Sequence, residues 1–329
     1  MLAPLQGQAQ FVWHTDTVLH DGYEVATVVQ PDDYSGPERS TIIRRLCPEP
    51  SAKGVLYVHG FNDYFFQSPM GEEFNGHGYE FYAVDLRKYG RSLMPGQRAF
   101  DMRSVSDYYP DIDSALVAMR RQGVKDIVLM GHSTGGLILS CYLSQMDRTN
   151  PAAVADVRAL VLNSPFLDWN LGKLECFIPA VSFAGKLFPG IEVKQGGTAY
   201  GESLLKQYHG EWSYNTQWKR LGSSDVDLGW VRAIDRAQRS LRGGKARITQ
   251  PILLLYSARS VEGEEWTEAH NHADGVLDVN DIAKYGRELG PNVTSMRVNG
   301  GLHDLLLSAP KVREAVYQTI FEWLGRTVD

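Results

Sequence analysis

The chain has little cysteine: its 329 residues include only Cys47, Cys141 and Cys176. So small and odd a number makes no disulfide framework, and reduced thiols in a reducing compartment are the simplest account. Positive charge is not in excess either. Lys and Arg number 33 against 39 Asp and Glu, a formal net charge of -6. A nucleic-acid-binding surface would favour the opposite sign, so nucleic acid is not expected as a partner. No apolar run reaches the roughly 20 residues needed to span a bilayer. The first ten residues, MLAPLQGQAQ, lack a basic start and an apolar run, so no secretory signal is expected. Internal repeats and low-complexity segments are absent. A cytoplasmic protein is the default expectation, and a homodimer is left open.

What is present suits a folded globular chain, with 43% hydrophobic and 22% charged residues. The length allows one large domain, or a domain carrying an insertion. DTVLHDGYEVATVVQP shows two short strand-like runs around Asp21-Gly22, a hairpin signal, and STIIRRL continues the β pattern. From there the texture changes. The apolar runs GVLYVHG, EFYAVDL, DIVLMGHS, VRALVLNSP, PILLLYS and NVTSMRVNGG alternate with helix-like segments. In DYYPDIDSALVAMRRQG, for example, Ile112, Leu116 and Met119 recur at helical spacing. Continuous apolar strands alternating with helices predict an α/β fold, a mostly parallel sheet flanked by helices.

Between about Asp168 and Thr249 no strong strand run occurs. The segment is too long for a single crossover in a compact sheet. It predicts a mostly helical inserted cap over 169–248, on a core made of 1–168 and 249–329. The cap is rich in aromatics: Phe177, Phe183, Phe188, Tyr200, Tyr208, Trp212, Tyr214, Trp218 and Trp230. They either fill a small core of its own or, in part, face down to line an apolar pocket.

In VLMGHSTGGLIL, residues Gly131 to Gly135 match G-x-S-x-G between an apolar strand and an apolar helix. A serine on such a turn is held in a strained backbone conformation, and glycines sit two residues to either side because larger side chains would clash. The helix N-terminus favours negative charge developing on a bound carbonyl. Ser133 is therefore the candidate nucleophile, against the bland alternative of a glycine-rich turn with a capping serine. Acyl transfer needs oxyanion donors. Thr134 N–H, just after the nucleophile, is one candidate; Phe61 N–H, after the strand that ends in His59-Gly60, is the other. The base should come late in the chain, and His303 follows the turn at Gly300-Gly301 after the last strand. His132 and His59 are expected to be structural.

The segments HGFND, VDLRKYGRS, GHSTGG, NSPF and GGLHD, in this order, resemble an α/β-hydrolase. The similarity is to the branch of monoacylglycerol lipases, lysophospholipases and serine aminopeptidases, over roughly residues 50–168 and 250–329. It implies a cofactor-free ester, thioester or amide hydrolase with a cap above the site. By position it carries the roles of Ser133, His303, Phe61 and Thr134.

The acid departs from that family's pattern, which places an aspartate soon after the strand following the cap. Here the strand runs into SARSVEGEEW, with no aspartate close by. Asp274, followed by Gly275 and the apolar pair Val276-Leu277, looks like the helix side of the family's acid loop, so 259–273 reads as an insertion. Asp278 fits better as a helix N-cap. Asp168 is the position some relatives use instead, and Glu262, Glu264 and Glu265 lie nearest the strand end. One carboxylate suffices, so most acids in 259–278 are expected to face solvent. His270-Asn271-His272-Ala273-Asp274 also contains part of a dinuclear zinc signature, but Gly275 stands where another histidine is needed, and no metal is expected. The favoured function is hydrolysis of lipid-like or apolar acyl esters, with a small-molecule ester as partner and no cofactor. Amidase or aminopeptidase activity on the same triad, and a non-catalytic ligand-binding homologue, are the alternatives.

Overall fold

The structure, a computed structural model, describes residues 11–20 and 22–328. MLAPLQGQAQ and Asp21 lie outside the described residues. Strands β1 (His14–Thr15) and β2 (Tyr23–Asp33) pair antiparallel on either side of the expected turn. The longer hairpin is a second one, between β2 and β3 (Gly36–Arg45). It turns where Ser35 N–H donates to Asp33 Oδ1 at 2.6 Å, an Asx turn among polar residues that carried little periodic signal.

The parallel part follows: β4 (Lys53–Val58), α1 (Ser68–Gly76), β5 (Glu80–Asp85), α2 (Tyr109–Gln122), β6 (Asp126–His132), α3 (Thr134–Thr149) and β7 (Val157–Asn163). After a long excursion come β10 (Ile252–Ser257), α7 (Val279–Gly286), β11 (Val293–Val298) and α8 (Pro310–Thr327). Among the described residues nine strands form one sheet, ordered β1-β2-β3-β5-β4-β6-β7-β10-β11, and every neighbouring pair from β5 to β11 is parallel. Strand β6 therefore lies mid-sheet. Its residues from Ile127 to His132 are all buried, as are those of β4 from Gly54 onward. That burial on both faces explains why these strands read as continuous apolar runs rather than alternating ones. In α2, Ile112, Leu116 and Met119 are buried as their spacing predicts, and Pro110 sits in the first turn, where its missing N–H is harmless.

The excursion between β7 and β10 contains α4 (Ile178–Leu187), β8 (Glu192–Val193), α5 (Ala199–Leu204), β9 (Val226–Asp227) and α6 (Leu228–Leu241). It is less helical than its sequence suggests. Strands β8 and β9 pair, and 205–225 holds turns and an isolated bridge but no helix. Some of its aromatics face down into a pocket, as one of the two sequence readings held, but others are exposed, which neither reading held. Phe183, Phe188 and Tyr208 are exposed away from the cavity over the C-terminal end of the sheet, whereas Tyr200, Tyr214 and Trp230, with the exposed Phe177 at its edge, line that cavity. Trp212 and Trp218 pack on Phe66 and Tyr64. No helix among the described residues is long and apolar enough to cross a membrane.

Candidate active site

Strand β6 delivers Ser133 onto the N-terminus of α3. Ser133 has a positive φ of 51°, a conformation that L residues avoid unless the surroundings enforce it. The enforcement is visible. A Cβ on Gly135 would collide with the carbonyl oxygens of Val58 and His59, and one on Gly131 would lie 2.7 Å from Gly136 N. Gly135 thus lets the turn pass close to the end of β4, and Gly131 lets the turn fold tightly back on its own Gly135–Gly136 backbone. Ser133 N–H donates to Asn163 O at 3.0 Å, and Phe166 N–H donates to Ser133 O at 3.0 Å, tying the turn to the end of β7.

Three side chains meet here from distant parts of the chain. Ser133 Oγ lies 2.9 Å from His303 Nε2, and His303 Nδ1 lies 2.9 Å from Asp274 Oδ2. All three residues are buried, Asp274 completely. The carboxylate beside Nδ1 favours the proton on that nitrogen, which leaves Nε2 free to accept the Ser133 hydroxyl proton. Asp274 divides its oxygens: Oδ1 accepts from Val276 N–H and Leu277 N–H, both at 2.8 Å, and Oδ2 is left for histidine.

The acid-rich stretch after β10 folds accordingly. Val261 N–H donates to Asp274 O at 2.8 Å and Asp274 N–H donates to Arg259 O at 3.0 Å, so the chain returns beside its own departure point. The intervening residues loop out, with Glu262, Glu264, Glu265 and Glu268 exposed. They also contact the excursion: the His209 and Trp266 rings stack at 3.4 Å, and Thr198 N–H donates to Glu264 O at 3.2 Å.

The other acids lie elsewhere. Asp168 forms an ion pair with Arg242. Asp278 caps α7, accepting from Asn280 N–H at 2.8 Å. The histidines of the zinc-like stretch diverge: His270 Nδ1 contacts Thr267 Oγ1 at 2.9 Å, and His272 pairs with Glu268 at 3.3 Å. Among the described residues no group of three or more His, Cys, Asp or Glu side chains could hold a metal ion.

His132 is buried beneath the turn, its Nδ1 3.1 Å from Asn163 O. Burial pushes its pKa down to about 4, so it is neutral at pH 7. His59 accepts from Leu86 N–H at Nε2, at 3.2 Å, and its ring packs on Tyr89. Neither lies between Ser133 and an acid.

Phe61, Ser133, Thr134 and His303 all border one cavity of about 1250 Å³. One wall is aromatic. Phe61 packs on Trp230 of α6 at 4.8 Å between ring centres, and Trp230 neighbours Phe166 and Trp169 at 6.4 and 6.1 Å. The lining also has polar side chains, among them Asp63, Lys219, Tyr200 and Tyr214. Tyr200 stands edge-on to the His303 ring, 5.6 Å between centres, and accepts from Asp304 N–H at 3.1 Å.

Beneath His303, Asp304 is wholly buried and accepts from Asn163 Nδ2 at 2.7 Å and Gln67 Nε2 at 2.8 Å. Sequence reasoning missed Asp304, Asn163, Asn62 and Lys219, and named Tyr200 only as one of many cap aromatics. The only sequence signal was the adjacency of Asn62-Asp63 to Phe61 and of Asp304 to His303.

The comparisons with known proteins bear on the fold and the family. The chain resembles the solved structure of a soluble variant of monoglyceride lipase from Saccharomyces cerevisiae in complex with a substrate analogue. The TM-score is 0.65 at 14% identity, over 92% of this chain and 95% of that one. It also resembles a monoacylglycerol lipase from Paleococcus ferrophilus, with TM-score 0.59, 20% identity, and 86% and 98% of the two chains covered. A thermostable carboxyl esterase from Bacillus coagulans superposes with TM-score 0.63 at 11% identity, over 93% and 99% of the chains. No curated protein matches the sequence. These likenesses show the fold, that of an α/β-hydrolase. The model of one family, described as serine aminopeptidase, S33, matches residues 49–261, well over half of the chain. The matched region includes the turn that carries Ser133, and the chain belongs to the S33 serine aminopeptidase family of α/β-hydrolases.

Proposed function

We propose that the protein is a serine hydrolase that cleaves carboxylic esters with an apolar acyl group through an acyl-enzyme on Ser133. The observation that carries this reading is the unbroken relay of 2.9 Å contacts from Ser133 Oγ through His303 to Asp274. Ser133 Oγ attacks the acyl carbonyl carbon while its proton passes to His303 Nε2. The carbonyl oxygen becomes the oxyanion, held by the N–H groups of Phe61 and Thr134. Collapse of the tetrahedral intermediate breaks the carbon–oxygen bond to the leaving alcohol, which takes the proton from Nε2. Water, deprotonated by His303, then attacks the acyl-enzyme, and Ser133 recovers its proton as the acid departs. Asp274 stays ionised and stabilises the imidazolium.

The aromatic wall of Phe61, Phe166, Trp169 and Trp230 suits an apolar acyl or aromatic group. The segment 169–248 serves as a cap that closes the cavity. Two of the structural neighbours are named as monoacylglycerol or monoglyceride lipases and a third as a carboxyl esterase, which supports ester over peptide substrates. A second reading, cleavage of an aminoacyl bond, is favoured by the family's description and by the acids Glu175, Asp278 and Asp281 on the cavity wall, which suit a free amine. A panel of p-nitrophenyl esters of increasing chain length, run beside aminoacyl-anilides, separates the two. Turnover of esters alone is expected, and a preference for anilides would transfer the assignment to the second reading.

A further inference from the structure

The oxyanion loop does not stand alone. Phe61, whose N–H is the proposed donor, is followed by Asn62 and Asp63, and both side chains are held by one short stretch of the cap. Asn62 has a positive φ of 51°. Its Oδ1 accepts from Arg220 N–H and from Ser224 Oγ, both at 2.9 Å. Its Nδ2 donates to Arg220 O at 3.0 Å and Gly222 O at 3.2 Å. Asp63, buried, pairs with Lys219 Nζ at 3.0 Å. Lys219 is buried too, facing the rings of Phe66, Tyr214 and Tyr200.

We infer that residues 219–224 of the cap form a strap that completes the oxyanion hole, with Asn62 and Lys219 as positioning residues acting through Phe61 N–H; the inference rests on the function proposed above. Two physical effects combine. The first is geometric. An oxyanion donor works only within about 2.7–3.1 Å of the developing charge, so the peptide joining Gly60 to Phe61 must be held from both sides. The β4 end holds one side, and the four Asn62 hydrogen bonds hold the other. The second is electrostatic. A bare carboxylate at Asp63 would oppose negative charge growing on the substrate oxygen nearby. Lys219 neutralises it, and removing one partner of a buried pair leaves an uncompensated charge. The cap would thus set the rate of the chemical step as well as shape the pocket.

The test uses the full chain, a p-nitrophenyl ester, and a trifluoromethyl ketone that forms a hemiketal oxyanion on Ser133. Asn62→Gly keeps the positive φ accessible and deletes the side-chain bonds. It is expected to lower kcat about 10- to 100-fold with KM within about twofold, less than the about 10²- to 10³-fold effect of losing a donor outright. Affinity for the ketone should fall in step with kcat, which a merely structural role would not produce. Lys219→Met should lower kcat, and Asp63→Asn combined with Lys219→Met should recover most of the loss. Asn62→Gly with wild-type kcat overturns the geometric half, and a double variant no better than Lys219→Met alone overturns the electrostatic half. If Asn62→Gly fails to fold, the Asp63 and Lys219 comparison carries the test. Wild-type protein that neither turns over esters nor reacts at Ser133 would instead defeat the functional reading, and the strap would fall with it.

Discussion

Asp274 Oδ2 and His303 Nδ1 lie 2.9 Å apart, although the acid is reached only after a looped-out segment that follows β10. The contact singles out one carboxylate from an acid-rich stretch. Asp274→Asn should lower kcat about 10⁴-fold, because an amide stabilises the wrong imidazole tautomer. Asp168→Asn and Asp278→Asn should leave kcat near wild type, since their partners are Arg242 and the N-terminus of α7. Steady-state kinetics of the three variants check this; a large loss in either of the latter two would displace Asp274.

Ser133 is expected to combine chemistry with strain. Ser133→Ala should abolish turnover, by as much as about 10⁶-fold for such a nucleophile, while unfolding much like wild type. Ser133→Gly should be equally inactive but more stable than Ser133→Ala. A non-glycine residue in this sparsely populated region costs about 1–3 kcal/mol, more than the about 0.5–1 kcal/mol of extra unfolded-state entropy that glycine brings. Thermal unfolding of the two variants checks the order of their Tm values.

Gly135→Ala should be among the more damaging single-methyl additions in the protein, because the new Cβ would meet the Val58 and His59 carbonyls, which are backbone and cannot turn aside. A loss of at least about 1–3 kcal/mol is expected from such overpacking, together with lost activity, since the same turn carries Ser133. Urea unfolding measures it.

How far the sequence revealed all this depended on how local each feature is. The elbow was legible because Gly131, Ser133 and Gly135 sit at fixed spacing between an apolar strand and an apolar helix, so the backbone demand is written within a dozen residues. His303 was legible for a similar reason, as the one histidine after the last parallel strand. The acid was harder: the segment from Ser260 to Ala273 leaves and returns beside itself, and the detour is closed by contacts between residues far apart in sequence, Arg259 and Val261 with Asp274 and Ser260 with Leu277 and Val279. The second hairpin, the β8–β9 pair, and the outward placement of Phe183 and Phe188 were not legible, because propensity does not say which face of a short element finds a partner. Least visible was the clamp on Asn62, whose partners lie some 160 positions away in an irregular segment.

The pH dependence of stability follows in part from His132. Its folded pKa, about 4, lies below the ordinary value of 6.5 because burial disfavours the imidazolium. In that window the unfolded chain binds more protons than the folded one. The contribution is therefore fully present above about pH 6.5 and is lost as the pH falls toward 4. His132→Asn keeps an N–H donor for Asn163 O and removes the titration. Its unfolding free energy should fall less steeply than that of wild type between these pH values. An unchanged slope in denaturant titrations would mean that His132 is not held neutral by burial.

The central claim is that Ser133 is the acylated nucleophile. The most direct measurement is peptide-mapping mass spectrometry of the folded protein after reaction with a serine-directed fluorophosphonate, with His303→Ala beside it. A single covalent adduct on Ser133 in wild type, formed far more slowly in His303→Ala, is the expected result. Folded wild-type protein with no adduct, or with its adduct on another residue, would contradict it.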